Sequence, residues 1–77
     1  MTIKDIIEDI ETHFDGAATV VDETNDQGYT GIVATVNSAK PVEDVHMAVC
    51  QLVPDEWWFS SSERIDGKVV VTVGVCG

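Results

Sequence analysis

The chain reads as an α+β domain in which a helix and a β-hairpin are followed by a second helix and a second hairpin, in the order α-β-β-α-β-β. Three observations predict this. Apolar residues recur at helical spacing in two segments, four further segments are rich in β-branched and aromatic residues, and Gly28 and Gly67 fall where each pair of strands must turn. At 77 residues the chain makes a single domain, spanning 1–77.

The first helix carries Ile3, Ile6, Ile7, Ile10 and Phe14 as one stripe, with Asp5, Glu8, Asp9, Glu11 and Thr12 on the opposite face. Thr2 is suited to cap its N-terminus. Asp5 lies in the first turn, where the helix dipole favours negative charge, and Gly16 accepts the left-handed conformation that stops a helix. Strands over 17–23 and 29–36 flank the turn residues Asn25, Asp26, Gln27 and Gly28. A loop over 37–41 leads to the second helix, with Pro41 expected in its first turn, Val42, Val45, Val49, Leu52 and Val53 as its stripe, and Pro54 as its end. Strands over 57–65 and 68–76 flank Asp66 and Gly67.

The halves align at a constant offset of 39 residues, which places Ile3, Ile6, Ile10 and Phe14 on Val42, Val45, Val49 and Val53. The same offset places Val20 on Phe59, Gly28 on Gly67 and Ile32 on Val71. This reads as a two-fold α-β-β repeat, with quasi-repeats 2–36 and 41–75. Its four strands are expected to form one sheet, with both helices packed on a single face. Register then decides which residues line the core. A three-residue loop of Ile65, Asp66 and Gly67, with Gly67 left-handed in a bulge, unites Trp57 and Phe59 with the stripe Val69, Val71, Val73 and Val75. A two-residue turn would divide them, and the three-residue loop is the expectation. The other sheet face then carries Val21, Tyr29, Val33, Trp58 and Val70 among Thr72, Gly74 and several serines. It is either a half-wet surface or an interface with a partner or a second copy of the chain. Trp58 favours the interface, because Trp anchors dominate binding energies.

Charge narrows the function. Fourteen Asp and Glu against four Lys and Arg leave a formal net charge of −10. Such a surface repels nucleic acid and anionic membrane and attracts basic protein surfaces. No apolar run approaches the roughly 20 residues of a membrane span, and the N-terminus lacks the pattern of a signal peptide. A cytoplasmic protein is expected, in the host cytoplasm if a phage encodes it, with Cys50 and Cys76 reduced.

The densest carboxylates are Asp5, Glu8, Asp9 and Glu11 on the first helix, with Asp15 just past its end. Like charges three and four residues apart cost a few tenths of a kcal/mol each. The helix is about 18 Å long, over which one DNA strand presents about five phosphates, so these residues approximate the charge of a single strand. The plainer reading of the same residues is a solvated helix face.

Other constellations are weaker. The stretch from Asp22 to Gly28 has the oxygens of a calcium loop but neither its spacing nor its closing Glu. His46 and Cys50 share a side of the second helix at a spacing that suits a metal or an activated thiol, against the plainer reading of a boundary His and a small buried Cys. Ser60, Ser61 and Ser62 read as the polar stretch of a strand. The sequence holds no phosphate-binding glycine loop and no nucleophile elbow. A non-enzymatic protein without a cofactor is expected.

In size, charge and mixed α/β character, over its whole length, the chain resembles the small acidic inhibitors encoded by phages and mobile elements, of the anti-CRISPR and anti-restriction type. The resemblance implies a partner, the basic groove in which a nucleic-acid-processing protein holds its substrate. It transfers no residue. The expected contacts, Asp5, Glu8, Asp9, Glu11, Asp15 and Trp58, come from the chain's own charge and register. The competing expectation is a cytosolic protein of an extreme halophile, whose acidic surface holds hydration in molar salt. A metal or thiol site at His46 and Cys50 is the third.

Overall fold

The computed structural model describes residues 2–76. Its elements are α1 (Ile3–His13), β1 (Ala18–Asp22), β2 (Tyr29–Val36), α2 (Val42–Cys50), β3 (Phe59–Ile65) and β4 (Lys68–Cys76). The strands form one open antiparallel sheet in the order β1-β2-β4-β3. The protein is α+β.

Both ends of α1 are closed by local chemistry. The Thr2 hydroxyl accepts from the Asp5 backbone N–H at 3.2 Å, while the Asp5 carboxylate accepts from the Thr2 N–H at 3.1 Å. This is a capping box with Asp in the position more often held by Glu. At the other end Asp15 and Gly16 turn left-handed, with φ of 52° and 83°. The Gly16 N–H reaches back to the Glu11 carbonyl at 3.3 Å, the bond that defines a Schellman stop. The start of α2 differs from expectation. Pro41 stands at the N-cap, one position ahead of the first turn, with no side-chain cap; its carbonyl accepts from Asp44 N–H at 3.1 Å and from Val45 N–H at 3.4 Å. Glu43 and Asp44 supply negative charge to that uncapped first turn. The helix also ends early, at Cys50, where the chain tightens: the Leu52 N–H donates to the Val49 carbonyl at 3.0 Å, an i→i−3 bond, ahead of Pro54. Val53 still enters the core from the turn that follows.

Antiparallel pairing places Ala18 and Val20 of β1, Ile32, Ala34 and Val36 of β2, and Val69, Val71 and Val73 of β4 on one side of the sheet. These residues join Ile6 and Ile10 of α1, Val45 and Val49 of α2, Val53 and Trp57 in one buried cluster. The first helix contacts β1 and β2, and the second contacts β3 and β4.

The second hairpin corrects the expected register. Ile65 pairs with Lys68, so the turn is Asp66 and Gly67 alone, at φ of 51° and 78°. Two consecutive left-handed residues make a type I′ turn, whose twist matches that of the strands it joins. Phe59 therefore stands opposite Gly74, on the face away from the core, and is divided from the valine stripe. Ser60, Ser62 and Arg64 take the core side, opposite Val73, Val71 and Val69. Trp57 is buried all the same, because it lies ahead of β3, where ladder alternation does not govern it.

The first hairpin turns differently. Its pairing runs past Asp22, through Glu23 N–H to Gly31 C=O at 2.9 Å and Asn25 N–H to Tyr29 C=O at 3.0 Å. Asp26, Gln27 and Gly28 are left as the loop, with Gly28 at φ of 91°. One residue more in this loop than in the second breaks the 39-residue correspondence inside β3. Val20 faces Ala34, whose counterpart in the second half is Val73, yet the residue facing Val73 is Ser60 and not Phe59. A one-residue slip exchanges the two faces of a strand, and here it exchanges aromatic for serine.

Candidate functional site

Of the carboxylates singled out on the first helix, Asp5, Glu8 and Asp9 are exposed, Glu11 is half-buried, and Asp15 is exposed in the left-handed stop. With Ile6 and Ile10 buried, 100° per residue places Asp5, Glu8, Asp9 and Glu11 on the arc facing solvent. Asp5 is also engaged in the cap, so Glu8 and Asp9 form the middle of the acidic face.

The positive charge lies elsewhere. Arg64 donates to the carbonyls of Ser38 at 2.9 Å, Gly67 at 3.3 Å and Lys40. It thereby ties the loop between β2 and α2, which includes Lys40, to the second turn, which Lys68 follows. Lys4 is the remaining cation, on α1.

Trp58 is 68% exposed and precedes the β3–β4 ladder, its ring edge-on to that of Phe59 at 6.2 Å. On the sheet face away from the core, register assigns Phe59 the place expected of Trp58.

The short second turn has a chemical consequence on the core side. His46 of α2 bonds both serines that β3 presents to it, with Nδ1 3.0 Å from Ser62 Oγ and Nε2 3.2 Å from Ser60 Oγ. A neutral imidazole has one N–H and one bare nitrogen. One serine therefore accepts from the ring while the other donates to it. The donating serine has the geometry of a hydroxyl beside a general base. Two depressions on the surface, lined by His13, Phe14, Lys40, Asp44, Val45 and Ala48 and by residues 51–56, include neither His46 nor the two serines. The arrangement acts as a clasp between α2 and edge strand β3. Reading Ser60 and Ser62 as a polar stretch missed it, and the only signal in the sequence is the length of the Asp66-Gly67 turn. Cys50 is half-buried and Cys76 exposed, and both are free. Among the described residues no group of three or more His, Cys, Asp or Glu is arranged to hold a metal ion.

The first hairpin loop uses its oxygens internally. Asp22 accepts from the Thr24 N–H at 2.8 Å, and this bond, with the Thr24 hydroxyl, holds the Asp22 carboxyl below its ordinary range. Asn25 Oδ1 accepts from the N–H groups of Gln27 at 2.8 Å and Tyr29 at 3.4 Å. On the sheet face away from the core, the Tyr29 ring crosses Gly31 and Gly74, which pair directly across β2 and β4. A Cβ on either glycine would come within 2.5 Å of the Tyr29 hydroxyl. Burial raises the Tyr29 phenol above its ordinary value, and negative charge on Cys76 and Glu23 adds to the shift.

No protein-family model, curated protein or solved structure matches the chain. Among the described residues no helix is long and apolar enough to cross a membrane. The functional reading therefore rests on these residues.

Proposed function

We propose that the protein is a non-catalytic acidic binding module that occupies the basic, nucleic-acid-binding surface of a target protein in the cytoplasm. Asp5, Glu8, Asp9, Glu11 and Asp15 make the principal contact, and Trp58 is an aromatic anchor beside β3. The two α-β-β units act as quasi-repeats, with both helices on one side of the sheet, so that the acidic face of α1 points outward from a rigid base. One observation carries the reading: α1 exposes the carboxylates of Asp5, Glu8 and Asp9, and Lys4 is the one Lys or Arg in that helix. Like charges set three and four apart on a helix cost stability, so the row works against the helix that carries it. A basic surface offsets that cost and is steered to the row by its field.

Competition with a fluorescent single-stranded oligonucleotide, across a panel of nucleic-acid-processing enzymes, tests this. Wild-type protein should displace the oligonucleotide from a target. The double variant Glu8→Gln, Asp9→Asn should do so about tenfold less well, and added salt should weaken the wild type. Asp5 is spared because its carboxylate serves the cap. Equal displacement by wild type and variant, or none by the wild type from any target, refutes the proposal.

A further inference from the structure

The sheet face away from the core is nearly free of charge in a chain of net charge −10. The paired residues on that face include two acids and one base: Glu63 and Lys68 beside the second turn, and Glu23, opposite Gly31, at the far end of the first hairpin. The rest is apolar or hydroxylic. Val21, Phe59 and Ile65 are 52%, 38% and 45% exposed, and Val33 and Val70 lie half-buried between them on the central strands. Tyr29 covers the glycine pair at one end. We infer that this face pairs with the same face of a second copy of the chain, making a sheet-to-sheet homodimer whose acidic helices lie on its outer sides.

Three arguments favour a second copy over another occupant. The first is charge. A basic partner of the kind that suits α1 finds only Glu23 and Glu63 here, at opposite ends of the face, whereas an identical face offers a neutral centre and Lys68 to set against those carboxylates. The second is self-repulsion, the main obstacle to pairing two acidic chains. The molecule is 19 Å across in its shortest dimension. Carboxylates on the outer side of α1 therefore stand well over a Debye length (about 8 Å in physiological salt) from those of the mate, and their repulsion is screened. The third is area. Four strands about 4.8 Å apart and about seven residues long on average, at ~3.4 Å each, cover roughly 470 Å² before side-chain relief, below the ~600–1,000 Å² per partner of stable specific interfaces and in the range of weak, transient pairing. That size fits a reversible dimer.

The inference is independent of the proposed function, and salt separates the two. Binding through α1 weakens as salt rises; pairing through the nearly uncharged face holds or strengthens. Sedimentation velocity on the full chain, from micromolar to several hundred micromolar in 0.15 M and 1 M KCl, should show the 8.3 kDa chain giving way to a species of twice that mass, at least as readily in the higher salt. Val33→Lys, at the centre of the face, should raise the dimer dissociation constant more than tenfold with an unchanged circular-dichroism spectrum. Val21→Lys, on the exposed edge strand, serves the same purpose if the central substitution disturbs folding. Glu8→Gln on α1 should leave the dimer intact. A wild-type chain that stays at 8.3 kDa throughout overturns the inference. So does a folded lysine variant that dimerises as the wild type does.

Discussion

Tyr29 lies across Gly31 and Gly74 on the sheet face away from the core, where two directly paired glycines leave the backbone bare. Side chains at these glycines would also meet backbone, since a Cβ on Gly31 would lie 2.7 Å from the Val73 carbonyl and one on Gly74 2.6 Å from the Thr30 carbonyl. The ring thus fills space that neither position can fill for itself. Partial burial disfavours the phenolate, so the folded chain holds the Tyr29 proton to higher pH than the unfolded chain does. This contribution to stability is complete below the unfolded value near 10.0 and is lost as pH rises through the higher folded value. Ultraviolet titration of the single tyrosine should give a midpoint above 10.0 in the folded protein. Tyr29→Phe should remove that part of the alkaline loss of stability. A folded-state midpoint at or below the ordinary value would contradict the account.

The second hairpin sets the chemistry of β3 through two turn residues. Because Asp66 and Gly67 form a two-residue turn, Phe59 faces away from the core and the serines face His46. The neighbouring tryptophans then have opposite roles: Trp57 is 9% exposed and Trp58 68%. In a denaturant titration Trp57→Ala should cost about 3–5 kcal/mol, as truncation of a large core aromatic does. Trp58→Ala should stay within about 0.5 kcal/mol, as surface substitutions usually do. The reverse ranking would contradict the opposite roles assigned to Trp57 and Trp58. The helices were legible from sequence because their apolar residues repeat every three or four positions; the stop of α1 at Gly16 is local, whereas α2 ends at Cys50, ahead of the Pro54 that marked its expected end. The register of β3 was not, because Asp-Gly serves both a two-residue turn and a three-residue loop. The choice between them falls to packing, where serine hydroxyls satisfied by His46 take the place of an aromatic under α2.

At the scale of the whole molecule, a net charge of −10 on 77 residues opposes compaction, and the small core must outweigh it. Both helices and strands β1, β2 and β4 share one continuous apolar cluster, and no buried polar side-chain atom among the described residues lacks a hydrogen bond. That core should hold the fold in dilute buffer. Far-ultraviolet circular dichroism should show a folded chain without added salt, and KCl should raise the melting temperature only modestly by screening repulsion. A halophilic protein would behave differently, unfolding in dilute buffer and recovering in 2 M KCl. Unfolding of the wild type at low salt would therefore exclude the acidic-inhibitor reading.

The sequence by itself determined the element order, the two helical stripes, the positions of both turns and the acidic face of α1. Each depends on contacts within a few residues: helical periodicity, caps, breakers and local charge. Only the tertiary structure decided the length of the second turn, and with it the faces of β3, the His46 clasp on Ser60 and Ser62, and the cover that Tyr29 gives the glycine pair. These join residues 14 or more apart in sequence, or depend on which strand lies beside which. Local pattern cannot report such pairings, because a strand has the same alternation whichever face it turns inward.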